Sequence, residues 1–562
     1  MPDSRHFLVE FLRLARQFWC SEHKRTIRGA ALLLAALTML QMVMAVLLNR
    51  WSAGLFNALE QHSMTDLLTQ VGKLAILFVC GIVLTGSHLF VKRNLMIYWR
   101  DWMTEHVFTR WMKDGAHYLI SHLPGEHDNP DGRIAEDCRI ATESAVGMAH
   151  SLFYSILMLV GFTQVLWSLS GVVTLDLGFV RLPVYGHLVW IAIVYAATAS
   201  WLGWQVSRPL TGATNQRQSA EANFRASLLE ARENSQAIAL IRGEAYERHQ
   251  FHELFHKIRL IWNDQTKAWR NILMFTSGYS VFSMAFPILV SSPRYILEKI
   301  TLGTLMQSAQ AFQHMASALS WPVNNAGGIA EWRASVERIL NLLKVLDDLD
   351  AELAKADHVI EVRRGDRPVL AFRDLSIVKY DGTVVAQNIN MEIGQGEHVL
   401  ITGNIFTGAK LFRAIAGIRP WGSGVIELPA RGRLFFMPPR PHLPSGTLRN
   451  AICYPSSRRV PSEEEIVQAM RLAGLTNLID KLDNSDKWVH TLSRQELQRL
   501  GMVRLLLNRP QWIFLQEAFD SLEPEEEEQM MRLICAQIPD ATLLTISHMP
   551  NNAAFHPRSL EL

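Results

Sequence analysis

Apolar residues are unevenly spread along this chain of 562 residues. Gly29 to Asn49 carries no charge over twenty-one positions, and at about 1.5 Å per residue such a helix spans roughly the 30 Å of a hydrocarbon layer. Similar runs lie at Leu74 to Val91, within Ala145 to Leu175, within Leu182 to Ser207, within Asn271 to Pro293 and within Ile300 to Ala330. The pattern predicts six membrane-crossing helices. Tyr98, Trp99, Trp102, Val107, Trp111 and Met112 then recur with helical spacing, so the crossing helices are expected to continue into water. Trp99, Trp102 and Trp111 read as interfacial anchors and packing residues, and no site is assigned to them. Glu331 to Asp357 reads as a charged connecting helix. From about Val359 the texture changes to short apolar runs with turns, such as Asp381 and Gly382, which predict a soluble α/β domain. The expected division is a membrane domain over 1–340, a connector over 341–358 and an α/β domain over 359–562.

Charge orients this layout. The segments Lys92 to Arg139 and Arg208 to Arg270 and the amino terminus are long and basic, whereas the alternate loops hold little more than Arg50, Arg181, Arg294 and Lys299. The positive-inside rule therefore puts both termini and the α/β domain in the cytoplasm. The first apolar run is too long for a removable leader and is expected to remain as a span. A formal net charge of +2 leaves no footprint for nucleic acid. The cysteines Cys20, Cys80, Cys138, Cys453 and Cys535 lie far apart with no CxxC pair, which predicts free thiols and no metal site. His88, His150, His187 and His314 fall in or near apolar runs. Such residues relay protons in some membrane proteins and in others bond a neighbouring helix or face a wet cavity. No Asp or Glu interrupts the apolar cores, so a proton path would use these histidines or carboxylates such as Glu221, Glu230, Glu233 and Glu331.

Specific strings sharpen the picture. GEHDNPDGRIAED (Gly125 to Asp137), EANFRASLLEARENSQAIALIRGEAYE (Glu221 to Glu247) and AEWRASVERI (Ala330 to Ile339) resemble the loops and the end of the sixth helix in bacterial ABC permeases of the YddA type. Their membrane domain is shared with the SbmA/BacA peptide-uptake permeases and with peroxisomal fatty acyl transporters. The resemblance covers almost the whole chain. It implies an α-helical six-span transmembrane domain fused to a nucleotide-binding domain of the α/β P-loop NTPase type, working as a homodimer of half-transporters in a bacterial inner membrane.

The α/β domain carries the expected nucleotide motifs in altered form. The strand His398 to Thr402 runs into Gly403, Asn404, Ile405, Phe406, Thr407, Gly408, Ala409 and Lys410 and then a helical pattern. In a working Gly-x-x-x-x-Gly-Lys-Ser/Thr loop, backbone amides wrap the phosphates, the lysine reaches the terminal ones and the hydroxyl holds magnesium. Here the glycine spacing stands, but Ala409 occupies the lysine position and Lys410 the hydroxyl position. LSRQELQRLGMVRLLLNRPQWIFLQE (Leu492 to Glu517) looks like the ABC signature, its helix and the following strand. Ser493 keeps its place, while Arg494 and Gln495 stand where two glycines would approach the γ-phosphate. Gln516 stands where a carboxylate would hold magnesium, and Pro439 where a glutamine would line the site. Lys379 takes the expected place of the adenine-stacking aromatic, with Tyr380 one later.

Two catalytic positions match the family: Glu517, the carboxylate that polarises the attacking water, and His548, which contacts the γ-phosphate. Both residue types also persist at low cost in a domain that no longer turns over. Each lost charged contact is worth about 1.5 to 3 kcal/mol, and phosphoryl transfer rests on positioning and charge neutralisation. ATP and magnesium are implied by the resemblance, with weak or absent binding expected. The acidic run Glu525 to Glu528 after Pro524 reads as the solvated first turn of a helix.

These readings lead to a half-transporter for a peptide-like or amphipathic substrate, with impaired or absent hydrolysis. A proton-driven peptide-uptake permease, in which the α/β domain only holds the dimer together, and a non-transporting homologue remain as alternatives.

Overall fold

The computed structural model describes residues 4–122, 129–176, 181–353, 359–379, 382–418, 421–455, 461–547 and 554–562. The chain divides into two compact units, one of residues 1–108 with 129–342 and one of 109–128 with 343–562.

The first unit is built from long helices. Among the described residues five are long and apolar enough to cross a membrane: Lys24–Glu60, Met64–Leu119, Pro130–Ser170, His187–Glu233 and Glu244–Ile296. The third ends at Ser170, where Val172–Asp176 and Arg181–Tyr185 pair as an antiparallel ribbon before the next helix starts. The sixth predicted span differs from the other five. Leu302–Leu319 is helical but falls outside that apolar set, because Gln307, Gln310, Gln313 and His314 interrupt it.

Polar groups of this helix, backbone and side chain, find partners inside the unit. Asn49 donates to the Gln307 carbonyl at 3.1 Å, and Gln310 donates to the Ser52 hydroxyl at 2.8 Å. The free amides at the start of the same helix are taken by Glu60, at 3.0 Å from Leu302 N, and by Asn57, at 3.0 Å from Gly303 N. A helix surrounded by other helices needs partners for its polar side chains more than it needs apolarity. After interruptions at Ser320 and Asn325 on either side of the short helix Trp321–Asn324, the chain continues as one helix, Ala326–Leu353, so the end of the sixth segment and the charged connector are continuous.

The amino-terminal helix Ser4–Trp19 has no counterpart among the predicted elements. It buries Phe7, Phe11, Leu14, Ala15 and Phe18, which recur at helical spacing and so share one face. Phe18 stacks on Trp99 at 5.3 Å and 8°, and Phe11 meets Trp332 edge-on at 4.9 Å. Trp99 is consequently a core residue, 5% exposed, rather than an anchor at a water boundary.

Among its described residues the second unit holds two large sheets and a small antiparallel pairing of Gly446–Thr447 with Ser485–Asp486. Five parallel strands lie in the order Arg558–Glu561, His398–Thr402, Thr542–Ile546, Trp512–Gln516, Leu434–Met437. A mixed sheet orders Glu361–Arg364, Gly422–Leu428, Val369–Val378 and Val384–Gly394. The last two strands form the hairpin expected around Gly382, whose amide donates to the Lys379 carbonyl at 3.0 Å; Asp381 lies outside the described residues. Apolar residues from both sheets and from the Ile405–Ile415 helix, among them Leu370, Phe372, Val399, Leu411, Phe412 and Phe514, fill one core. A second core gathers the helices around Leu500, Met502, Val503 and Ile513. Residues 109–122 belong to this unit through Arg110, which donates to Asp347 at 2.5 Å and to Asp350 at 3.3 Å. All five cysteines are free.

Candidate functional site

Parallel strands bring their carboxyl ends to one edge of a sheet, which is where α/β folds bind ligands. Three neighbouring strands here lead toward the candidate residues: His398–Thr402 runs into Gly403, Trp512–Gln516 into Gln516 and Glu517, and Thr542–Ile546, between them, into Ser547 just before His548 in the sequence. His548 and Tyr380 lie outside the described residues.

The segment after Gly403 is helix, not an open loop. The helix spans Ile405–Ile415, so Thr407, Gly408, Ala409 and Lys410 already sit in it. Asn404 is its N-cap: the side-chain oxygen accepts from Phe406 N at 2.9 Å and Thr407 N at 3.3 Å. Two amides that a phosphate would need are therefore held by the chain itself. Thr407 and Ala409 are buried, 8% and 5% exposed.

Both glycines have a packing reason. Gly403 has φ +91, and a Cβ there would collide with the carbonyl of Leu562, the same oxygen that accepts from Asn404 N at 2.9 Å. A Cβ on Gly408 would stand 3.1 Å from Ile546 and 3.3 Å from Ile401, so this glycine lets the helix lie against the sheet.

Gln516 faces a cavity of about 620 Å³ that it shares with Pro439, Arg413 and Arg440. The stacked rings of Phe436 and Phe514, 4.4 Å apart, form part of its wall. Its polar lining is thus a neutral amide and two guanidiniums, a set that offers no carboxylate to a divalent cation. Next to it, Glu517 has φ +41, a left-handed conformation that a residue with a Cβ rarely adopts, and its amide donates to Ile546 O at 2.9 Å.

Ser493 lies on another element, as N-cap of the Arg494–Asn508 helix. Its hydroxyl accepts from Glu496 N at 3.2 Å, while Glu496 accepts from Ser493 N at 2.9 Å, a complete capping box. Burial disfavours the Glu496 carboxylate, but the amide of Ser493 and the side chain of Asn477 outweigh it and hold its pKa below the usual range. Arg494 and Gln495 are exposed.

One residue of this neighbourhood has no motif signal of its own. Gln498, only 1% exposed, bonds the Asp520 carboxylate, donates to the Pro439 carbonyl at 3.3 Å and accepts from Ser521 N at 3.1 Å. Its signal in the sequence is a polar residue one turn into an otherwise apolar helix face.

The comparisons with known proteins agree with this architecture. The profile of ABC transporter transmembrane region 2 matches residues 14–296. An uncharacterized ABC transporter ATP-binding protein of Synechocystis is 30% identical over 508 residues, covering 87% of this chain and 73% of that protein. The chain belongs to the ABC transporter family. The inner membrane ABC transporter ATP-binding protein YddA of Escherichia coli is 26% identical and aligns over 97% of this chain and 96% of its own length. The human lysosomal cobalamin transporter ABCD4 is 24% identical over 99% of this chain and 95% of its own. This ABC transporter is thus a membrane protein that fuses a permease to an ATP-binding domain, in a family whose half-transporters dimerise in the bilayer and use ATP with magnesium.

Proposed function

We propose that this ABC transporter is a homodimeric half-transporter of a bacterial inner membrane, both termini cytoplasmic, that moves a peptide-like or amphipathic substrate with impaired or absent ATP hydrolysis. In this reading 1–340 is the permease, 341–358 the connector and 359–562 a nucleotide-binding domain whose turnover has decayed. The supporting observation is the winding of Ile405 to Lys410 into a helix capped by Asn404, with Ala409 buried at the lysine position. Amides already bonded within the chain and a missing cation leave a triphosphate without its compensating partners. The test is magnesium-ATP binding and hydrolysis by the purified dimer. Turnover far below that of a functional ABC ATPase is expected. A brisk rate abolished by Glu517→Gln would overturn the reading in favour of an ordinary ATP-driven pump.

A second reading, a proton-driven peptide-uptake permease, is favoured by one contact. His88 and His150, on different helices, approach to 2.8 Å between their Nε2 atoms, and His150 borders a cavity on either side. An imidazole pair of this kind can share and pass a proton. Uptake that survives nucleotide depletion but collapses with a protonophore would select it over the first reading.

A further inference from the structure

The amino-terminal helix Ser4–Trp19 roofs a cavity of about 520 Å³ in the first unit, within the size range of small-molecule sites. Its walls are aromatic and aliphatic: Phe11, Trp19, Trp99, Phe153, Trp321 and Trp332 come from five stretches of the chain. The indoles of Trp321 and Trp332 donate to Ser151 and Ala141, whereas the N–H of Trp99 is buried with no partner. Apolar walls of this kind hold a hydrocarbon chain better than water.

The roof has a second side. By helical spacing Leu8, Leu12 and Trp19 form a flank beside the buried face, and Arg16 and Arg13 follow next round the helix. Leu8 is 50% and Leu12 62% exposed, yet Leu12 also lines the cavity, so this flank joins the cavity to the outside. Arg13, Arg16, Lys24, Arg25 and Arg28 are all exposed, against only Glu10 and Glu22 in residues 7–28. Arg28 is fixed at the rim, donating to the carbonyl of Trp19 at 3.2 Å. An apolar flank bordered by arginines is the form of a helix lying in a membrane interface, attracted to anionic headgroups.

We propose that this cavity binds an acyl chain of an anionic bilayer lipid, whose phosphate is held by Arg28 with Arg13 and Arg16. The lipid chain would enter along Leu8, Leu12 and Trp19, and its head would remain in the interface where guanidiniums form charge-assisted bonds to phosphate.

The purified full-length protein, titrated with dioleoyl phosphatidylglycerol or dioleoyl phosphatidylcholine and read by native mass spectrometry, tests this. Phosphatidylglycerol is expected to be retained at least about tenfold better, a difference of about 1.4 kcal/mol. The triple variant Arg13→Gln, Arg16→Gln, Arg28→Gln changes only exposed side chains and should bring phosphatidylglycerol down to the phosphatidylcholine level. Ala149→Trp, which fills the cavity from the opposite wall, should reduce retention of both lipids, with the melting temperature checking that it folds. Equal retention of the two lipids by the unmodified protein, or unchanged retention in the triple variant, would overturn the proposal. Retention of dodecyl phosphate but of neither two-chain lipid would give the cavity to a soluble amphiphile and overturn it equally.

Discussion

Asp137 accepts two hydrogen bonds from the guanidinium of Arg338, Nε at 2.8 Å and Nη2 at 2.5 Å. Asp137 closes the string Gly125 to Asp137, and Arg338 lies in the string Ala330 to Ile339, so two segments that looked independent in the sequence meet as one fork. The Asp137 side chain is 7% exposed and that of Arg338 48%. Ser335, fully buried, accepts a further bond from Arg338 at 3.0 Å. Replacing Asp137 by Asn keeps the size but removes the charge. Because Arg338 is half open to solvent, the expected loss is about 1 to 2 kcal/mol rather than that of a fully buried pair. Melting of the detergent-solubilised protein checks this. Asp137→Asn together with Arg338→Gln should cost less than the two singles added, and strict additivity would show that the fork does not couple them.

Most of the architecture was legible because apolar run length and turn residues depend on local sequence. What was hidden depended on partners. The helix at Leu302 reads from the sequence as one more membrane-crossing run, since nothing in its own residues reveals that Asn49, Ser52, Asn57 and Glu60 serve its polar groups. The Ser4–Trp19 helix shows in the sequence only as a basic amino terminus, because its apolar face makes sense only against Trp99 and Trp332. At the nucleotide motifs the side-chain substitutions were plain, but spacing cannot separate a glycine that wraps phosphate from one that lets a helix touch a sheet. The contacts of Gly403 with Leu562 and of Gly408 with Ile546 supply the second explanation. Gln498 went unnoticed for the same reason, since its three partners are scattered over residues 439 to 521.

Gln498→Leu should destabilise the second unit. The substitution leaves the Pro439 carbonyl and the Ser521 amide without their partner while adding little packing, a loss of about 2 to 3 kcal/mol. Gln498→Glu places a like charge against Asp520, and its penalty should shrink as the medium is acidified. Thermal unfolding of the two variants at neutral and acid pH distinguishes them. A leucine variant that melts with the unmodified protein would show that the bonds contribute nothing net.

Acid should weaken the mixed sheet through Glu427. Hydrogen bonds from Arg363, at 2.6 Å, and Arg373, at 3.0 Å, hold its pKa below the ordinary 4.5. A depressed folded-state value means that the contribution is fully present above about pH 4.5 and is lost as pH falls through the folded value. Asp483, bonded by Arg449 at 2.8 Å, shifts in the same direction. Glu427→Gln should therefore lower the melting temperature slightly at pH 7, an effect that fades as the pH falls through the folded-state value. A difference that persists unchanged in strong acid would remove Glu427 from the titration.

Restoring the missing lysine alone should harm the protein without repairing it. Ala409 is 5% exposed on a helix that packs against the sheet through Gly408, so a lysine there must bury its stem or force the helix outward. Burying part of a charged side chain without a partner costs about 2 to 4 kcal/mol, which in a unit of this size lowers the melting temperature by roughly 4 to 16 °C. Hydrolysis should stay at the level of the unmodified protein. Lys410 still stands at the hydroxyl position, Gln516 still offers magnesium no carboxylate, and Asn404 still holds the amides of Phe406 and Thr407. Adding Asn404→Gly to Ala409→Lys releases those amides and removes a cap worth a few tenths of a kcal/mol relative to glycine, yet leaves both magnesium supports absent. Phosphate release measured on the single and double variants decides the matter: substantial turnover in Ala409→Lys by itself would mean that the helix at Ile405 opens readily into a loop, and that lysine was the one group the site lacked.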